Sequence, residues 1–325
     1  MTDTPPQILV PRPVMPMILD QLGQRFRLLR LWETGGETAL EAAAPHIRAL
    51  ASTVGGAPVD AALLDRLPKL EIIASFGVGY DHIDAAAAGR RGVVVTNTPD
   101  VLTEEVADTA LGLLIGTVRQ LPQAERYLRA GKWREANFPL SPSLRDRSVG
   151  IYGMGRIGRA IARRLDAFGV PVAYFSRTAH ADVPYPYHPD LVALARNVDT
   201  LIAIAPGTPE TRAAINAEVL AALGPRGILI NVARGSVVDE PALIEALKTG
   251  TILSAGLDVF ADEPNVPAEL IAMEHVVLLP HVGSAALYTR QAMAQLTIDN
   301  LVSWFEGRGP LTPVPETPWR NSPNA

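Results

Sequence analysis

The chain has 325 residues, of which 48% are hydrophobic and 19% charged, ample for two domain cores and far from the composition of disorder. A formal net charge of −5 provides no global field for nucleic acid or anionic lipid. There is no cysteine, which excludes a disulfide framework, thiolate catalysis and sulfur-based metal centres.

In chain order, Met1 to Pro6 lacks the basic start and apolar core of a signal peptide. Short β-type runs then alternate with Ala-rich helical stretches, the signature of βαβ units around a parallel sheet. Strands are expected at Gln7 to Val10, Phe26 to Leu31, Ala49 to Thr53, Glu71 to Ser75 and Val93 to Thr96. Asn97-Thr98-Pro99-Asp100 marks the start of a long helix over Leu102 to Arg119, with Thr103 and acidic residues suited to its first turn. Within it, Leu111 to Val118 is the longest kind of apolar stretch present, far short of the roughly 20 residues that cross a bilayer. Leu121 to Leu144, carrying Trp133, Asn137 and Phe138, is long for a connection inside a compact domain.

A second series of strands is expected at Ser148 to Tyr152, Val172 to Phe175, Thr200 to Ala205, Gly227 to Val232, Ser254 to Leu257 and Val276 to Leu279. Six strands with intervening helices match a doubly wound nucleotide-binding sheet. The final helix, Ala285 to Phe305, is long enough to return to the first domain, and the proline-rich tail from Gly309 to Ala325 is expected on the surface or partly disordered. The fold class is therefore α/β with two doubly wound parallel-sheet domains. Residues 1–98 and 286–325 form a discontinuous, flavodoxin-like substrate domain, and residues 99–285 a Rossmann-type dinucleotide domain. The six histidines show no H-E-x-x-H or similar spacing, so no metal is expected. The expected location is the cytoplasm, with no membrane or nucleic-acid partner.

Gly153-Met154-Gly155-Arg156-Ile157-Gly158 directly follows the strand Val149-Gly150-Ile151-Tyr152 and opens a helix that ends near Phe168-Gly169. The first glycine permits a tight turn, the second a close approach of backbone to pyrophosphate, and the third close packing, while helix N–H groups meet the anion. After the next strand an NAD site would place Asp or Glu, yet the sequence has Ser176-Arg177-Thr178. A guanidinium pairs with a 2′-phosphate that a carboxylate would repel, so NADP is expected over NAD. The competing reading of Arg177 is an ordinary solvated loop residue.

Gly77-Val78-Gly79-Tyr80-Asp81-His82-Ile83-Asp84, the glycine fingerprint, Asn231-Val232-Ala233-Arg234-Gly235, Gly256-Leu257-Asp258-Val259-Phe260 with Glu263-Pro264, and Pro280-His281-Val282-Gly283-Ser284 occur in that order. In this the chain resembles the D-isomer-specific 2-hydroxyacid dehydrogenases over nearly its whole length. It is most similar to their glyoxylate/hydroxypyruvate reductase branch, which is usually NADPH-linked and dimeric.

The implied reaction, reduction of a small 2-oxo acid, needs a cation for the carboxylate, a proton donor for the carbonyl oxygen and a fixed nicotinamide face. Arg234, after a strand end, fits the first need, and its fork can also polarise the keto oxygen. His281 fits the second, because an imidazolium gives up and regains a proton near neutral pH. Glu263 is its expected partner, holding the ring and favouring its charged form. Val78 and Gly79 are expected to bind the substrate carboxylate through backbone N–H groups; the alternative is a plain turn before a helix capped by Asp84. By resemblance, Ser284 joins the substrate contacts and Asp258 accepts the nicotinamide amide; the competing reading of Asp258 is a strand-end cap. Ala205, Pro206, Gly207, Thr208, Thr211, Val232, Ala233 and Gly283 then lie along the cofactor. The family also commonly builds an arm from the region equivalent to Leu121 to Leu144 that embraces a second subunit, so a homodimer is expected. Two alternatives stand beside this reading: reduction of aromatic 2-oxo acids such as hydroxyphenylpyruvate, and a catalytically silent dinucleotide sensor.

Overall fold

The computed structural model describes residues 5–33, 35–53 and 58–319; part of the N-terminal stretch Met1 to Pro6 and the end of the proline-rich tail lie outside the described residues. The elements run β1 Gln7–Val10, α1 Pro16–Gly23, β2 Arg27–Arg30, α2 Glu37–Ala43, β3 Ile47–Thr53, α3 Ala61–Arg66, β4 Ile72–Phe76, α4 Ala85–Arg90 and β5 Val94–Thr96. They continue with α5 Thr103–Val118, α6 Leu121–Arg129, β6 Val149–Tyr152, α7 Arg156–Ala167, β7 Val172–Phe175, α8 Leu191–Arg196, β8 Thr200–Ala203, α9 Ala217–Leu223 and β9 Ile228–Asn231. The last are α10 Glu240–Lys248, β10 Ser254–Leu257, α11 Ala268–Ala272, β11 Val277–Leu278 and α12 Leu287–Phe305. Two compact units result, Met1–Leu102 with Ala286–Ala325, and Thr103–Ala285.

In the first unit five parallel strands take the order β2-β1-β3-β4-β5, the flavodoxin-like winding. Position in the sheet explains composition: every residue of inner β4 is buried, whereas edge β2 carries Arg27 and Arg30 around buried Leu29. Asp60 and Asp84 cap α3 and α4 by accepting the N–H groups of Leu63 and Ala87 at 3.0 and 2.8 Å. The long α12 packs on β4 and α1, burying Met293, Ala294, Ile298 and Leu301.

The tail departs from expectation. Val314 and Thr317 are buried, Val314 N–H donates to the Val95 carbonyl at 2.9 Å, and Thr317 Oγ1 accepts the Val95 N–H at 2.9 Å. Residues 309–319 thus form a strap that covers the otherwise open edge of β5. Proline cannot donate to a ladder, so the strap is held by a few intervening residues rather than by a strand.

In the second unit six parallel strands take the order β11-β10-β9-β8-β6-β7. The doubly wound nucleotide-binding order has one further strand outside β7. Here that strand has shrunk to one parallel bridge between Tyr187 and Tyr174, held by Tyr174 N–H to Pro186 O and His188 N–H to Tyr174 O, both at 2.9 Å. β8 and β9 stop at Ala203 and Asn231, earlier than the apolar runs imply. Ile204, Ala205, Val232 and Ala233 instead carry apolar side chains into loops at the carboxyl edge of the sheet.

Candidate active site

The glycine turn sits at the carboxyl end of β6, where strand order reverses between β7 and β8, the position at which such sheets bind ligands. Gly153 has φ of +108°, and a Cβ there would stand 2.8 Å from the Ala205 nitrogen. A Cβ on Gly158 would overlap the Gly153 carbonyl. Beside Gly155 a Cβ would meet nothing within 4 Å, and no side chain caps α7. Met154, Arg156 and Ile157 complete the turn at the start of a helix that no side chain caps, a fit for a pyrophosphate.

Along the same sheet edge, Ser176 Oγ donates to the Thr178 carbonyl at 2.7 Å, and Arg177 is exposed at the end of β7. The Arg177 charge reaches Glu210, whose carboxyl is held below its ordinary value by the Thr208 hydroxyl first, then by its own backbone N–H and by Arg177. Thr211 Oγ1 donates to the Pro206 carbonyl at 2.6 Å and accepts the Thr208 N–H at 2.9 Å, which makes Pro206 to Thr211 a closed turn.

Arg234 follows β9. Buried Asn231 pins that turn at both sides: its Oδ1 accepts the Ala233 N–H and its Nδ2 donates to the Arg234 carbonyl, each at 3.0 Å. A Cβ on Gly207 would lie 2.9 Å from Arg234 Cγ, so the side-chain stem runs against that glycine. At Gly235 a Cβ would overlap the backbone of Phe260 and Ala261. The Arg234 turn and the segment leading to Glu263 therefore touch backbone to backbone.

Glu263 Oε1 accepts the Phe260 N–H at 3.1 Å, and its Oε2 lies 2.6 Å from His281 Nδ1. Burial pushes this carboxyl up, but the hydrogen bonds from His281 and Phe260, with the charges of His281 and Arg234, hold it below the usual range. An ionised carboxylate only accepts, so Nδ1 carries the shared hydrogen and Nε2 is the nitrogen left to exchange a proton. His281 adopts a left-handed φ of +53°. Asp258 accounts for it: its carbonyl accepts the His281 N–H at 2.9 Å, and its carboxylate accepts the Val282 and Gly283 N–H groups at 2.7 and 2.8 Å. Burial raises the Asp258 carboxyl, against the lowering influence of those two N–H groups. Thr109 Oγ1 of α5 donates to the Gly283 carbonyl at 3.2 Å, and Ser284 follows, half-buried.

Arg234, Glu263, His281 and Asp258 thus converge within the second unit, which also holds Val232, Ala233 and Gly283. Val78 and Gly79 belong to the first unit, at the carboxyl end of β4. Sequence reasoning gave Asn231 no role of its own, although its place in the Asn231 to Gly235 motif was the available signal. For Asp258 it offered a ligand or a strand-end cap; the structure shows a cap that reaches across to the His281 segment. Among the described residues no group of three or more His, Asp or Glu side chains is arranged to hold a metal ion. No described helix is long and apolar enough to cross a membrane.

Residues 111–283 match the family model of the D-isomer specific 2-hydroxyacid dehydrogenase NAD binding domain. The chain belongs to this family. A 2-hydroxyacid dehydrogenase of Arabidopsis thaliana, glyoxylate/hydroxypyruvate reductase A, is 47% identical over 94% of this chain and 98% of its own. The hydroxyphenylpyruvate reductase of Plectranthus scutellarioides is 46% identical over 94% and 98%. Among solved dehydrogenases, the NADPH-dependent glyoxylate/hydroxypyruvate reductase of Sinorhizobium meliloti in complex with NADP and malonate is 54% identical. It covers 98% of this chain and 99% of its own, with a TM-score of 0.93.

Proposed function

We propose that this dehydrogenase reduces small 2-oxo acids, glyoxylate and hydroxypyruvate, with NADPH, giving the D-hydroxy acid where the product is chiral. The observation that carries the reading is the 2.6 Å contact of His281 Nδ1 with Glu263, beside the charge of Arg234. Such a ring, oriented through one nitrogen and open at the other, donates a proton to a carbonyl oxygen that is becoming an alkoxide. Arg234 binds the carboxylate and polarises the keto oxygen, while the Val78 and Gly79 N–H groups and Ser284 complete the substrate contacts. The reduced nicotinamide, when bound, supplies the hydride. Residues Gly153 to Gly158 hold its pyrophosphate, Ala205, Pro206, Thr211, Val232, Ala233 and Gly283 flank it, and Asp258 has lone pairs left for its amide. Residues 1–102 with 286–325 serve the substrate and 103–285 the dinucleotide, the first boundary lying four residues later than the sequence reading placed it.

Support for the substrate class comes from the reductase of Arabidopsis thaliana and that of Sinorhizobium meliloti, each named for glyoxylate and hydroxypyruvate. Ser176, Arg177 and Thr178, with no carboxylate among them, favour the 2′-phosphate of NADPH. Arg177→Asp should raise the Michaelis constant for NADPH by about tenfold or more and leave that for NADH unchanged or lower; equal use of both cofactors by the wild type contradicts the preference. The protein is further proposed to act in the cytoplasm as a homodimer built through the dinucleotide domain and the 121–144 arm.

The deciding assay follows NADPH and NADH oxidation with glyoxylate, hydroxypyruvate, pyruvate and hydroxyphenylpyruvate. The proposal expects the highest kcat/KM for glyoxylate or hydroxypyruvate with NADPH. Preference for hydroxyphenylpyruvate would instead align this chain with the Plectranthus scutellarioides relative, and turnover of none would make it a dinucleotide sensor.

A further inference from the structure

The residues that follow β5 orient the peptides that follow β4. Thr98 N–H donates to the Gly77 carbonyl at 2.9 Å, and Asn97 Nδ2 donates to the Val78 carbonyl at 2.8 Å. In a trans peptide the carbonyl of one residue and the N–H of the next point to opposite sides of one plane. Holding these two successive carbonyls therefore turns the Val78 N–H and the Gly79 N–H away from Asn97 and Thr98. Among the described residues neither N–H has an acceptor.

The ledge that does the holding is itself fixed from behind. Asn97 N–H donates to the Thr312 carbonyl at 3.3 Å, and the Asn97 carbonyl accepts Thr312 Oγ1 at 2.6 Å. The same hydroxyl oxygen accepts Asn300 Nδ2 at 2.9 Å, and Asn300 is wholly buried on α12. A chain of hydrogen bonds thus runs from the helix through the C-terminal strap to the Val78–Gly79 peptide. Each link consists of one donor and one acceptor with no alternative assignment except the flip of each amide, which the Leu311 and Thr312 N–H groups on Asn300 Oδ1 decide for Asn300.

We infer that Asn97 is a positioning residue that presents the Val78 and Gly79 N–H groups as a seat for the substrate carboxylate. The inference rests on the proposed role of those two amides. Asn97 does not touch the substrate; it fixes the one peptide plane whose rotation would withdraw the Gly79 N–H from the anion. Thr98 holds the other plane through its backbone, which no side-chain substitution removes.

Asn97→Ala in the NADPH-loaded enzyme tests it. The KM for glyoxylate and the inhibition constant of oxamate should rise together by about tenfold or more, the loss of one hydrogen bond to a charged group. At saturation kcat should change by less than about threefold, because Arg234 and His281 are untouched. NADPH binding, read by fluorescence, should not change. Methylglyoxal, a 2-oxo aldehyde without a carboxylate, should be reduced equally well by variant and wild type. Asn97→Asp keeps the shape, lacks the N–H and should raise both constants at least as much, which maintains the test if the alanine variant folds poorly. Unchanged oxamate inhibition, or an equal loss with methylglyoxal, overturns the inference. A crystal of the wild-type holoenzyme with oxamate separates the two layers. A carboxylate bound away from the Val78 and Gly79 N–H groups removes the underlying reading; one bound there, with oxamate affinity intact in Asn97→Ala, removes only the role of Asn97.

Discussion

Glu263 receives two hydrogen bonds with different consequences. The one from Phe260 N–H ties the carboxylate to its own loop, and the one from His281 ties the imidazole ring to that loop. In Glu263→Gln the ring loses the carboxylate that orients it through Nδ1, so kcat for 2-oxo acid reduction should fall while NADPH affinity holds. An unchanged kcat would remove Glu263 from this role. The carboxyl also contributes to stability. Its value is depressed in the folded chain, so the stabilisation is complete above the ordinary carboxylate value and is lost as pH falls through the depressed one. The Tm advantage of wild type over Glu263→Gln should therefore be largest near about pH 7 and shrink toward about pH 3. His281→Ala removes the proton donor and should lower kcat by about 10²–10⁴-fold while leaving NADPH affinity intact, a split that titration of NADPH fluorescence beside turnover will reveal. Arg234 could be picked out because a keto acid demands a cation and this one follows a strand end, whereas His281 and Glu263 stood out only through the run of family motifs around them, since a lone histidine or an acidic loop carries no such mark. Asn231 was visible only as a member of the Asn231 to Gly235 motif and Asn97 only as part of a helix start; that their amides hold backbone carbonyls leaves no mark of type or spacing.

At the scale of the element, the strands of both sheets were legible wherever burial on two faces forces an unbroken apolar run, as in β4 and β6. Three features escaped that logic. The outermost strand of the second sheet survives as a single Tyr187 bridge, too short to have a period. The ends of β8 and β9 were hidden because loop residues there are as apolar as strand residues. The C-terminal strap relies on isolated buried residues between prolines, where no periodicity exists. The link between β10 and the His281 segment belongs to this scale too, because Asp258 joins the end of one strand to the loop after β11. Asp258→Ala leaves the Val282 and Gly283 N–H groups without acceptors, at about 1–3 kcal/mol for each one that stays buried. It also weakens the hold on the left-handed His281 backbone, which costs an ordinary side chain about 1–3 kcal/mol to maintain and is then kept only by the bond from the His281 N–H to the residue 258 carbonyl. A lower Tm and a kcat loss approaching that of His281→Ala are expected together, from thermal melts and turnover on one preparation. Loss of stability with normal kcat would reduce Asp258 to a purely structural clamp.

At the scale of the whole molecule, the return of the last helix to the first unit could be anticipated from length alone, since the stretch Ala285 to Phe305 is long enough to reach back to it. The assembly is a question of surfaces. Within the arm, Tyr127 and Phe138 pack edge to face at 5.4 Å and the Tyr127 hydroxyl donates to the Ala136 carbonyl at 2.9 Å. The arm is therefore ordered by its own contacts, yet α6 buries none of its residues. Leu128, Trp133 and Leu140 are exposed at 56%, 65% and 102%, large apolar side chains that a second subunit would take out of water. Covering the parts of these three side chains that are exposed is worth about 3–7 kcal/mol, at about 1.5–3 for each fully exposed one, a sum that must exceed the entropic cost of association before any dimer forms. Replacing Leu128 and Trp133 together by Asp removes two of the three contributions and puts charge where desolvation would occur. Since neither side chain supports the core of its own unit, the far-ultraviolet circular dichroism and Tm of the variant should stay near those of wild type at the same concentration, apart from the share of stability that the dimer itself confers. Sedimentation velocity at micromolar concentration should show wild type as a dimer and the double variant as a monomer. A monomeric wild type, or a double variant that still sediments as a dimer, would show that the arm is not the interface.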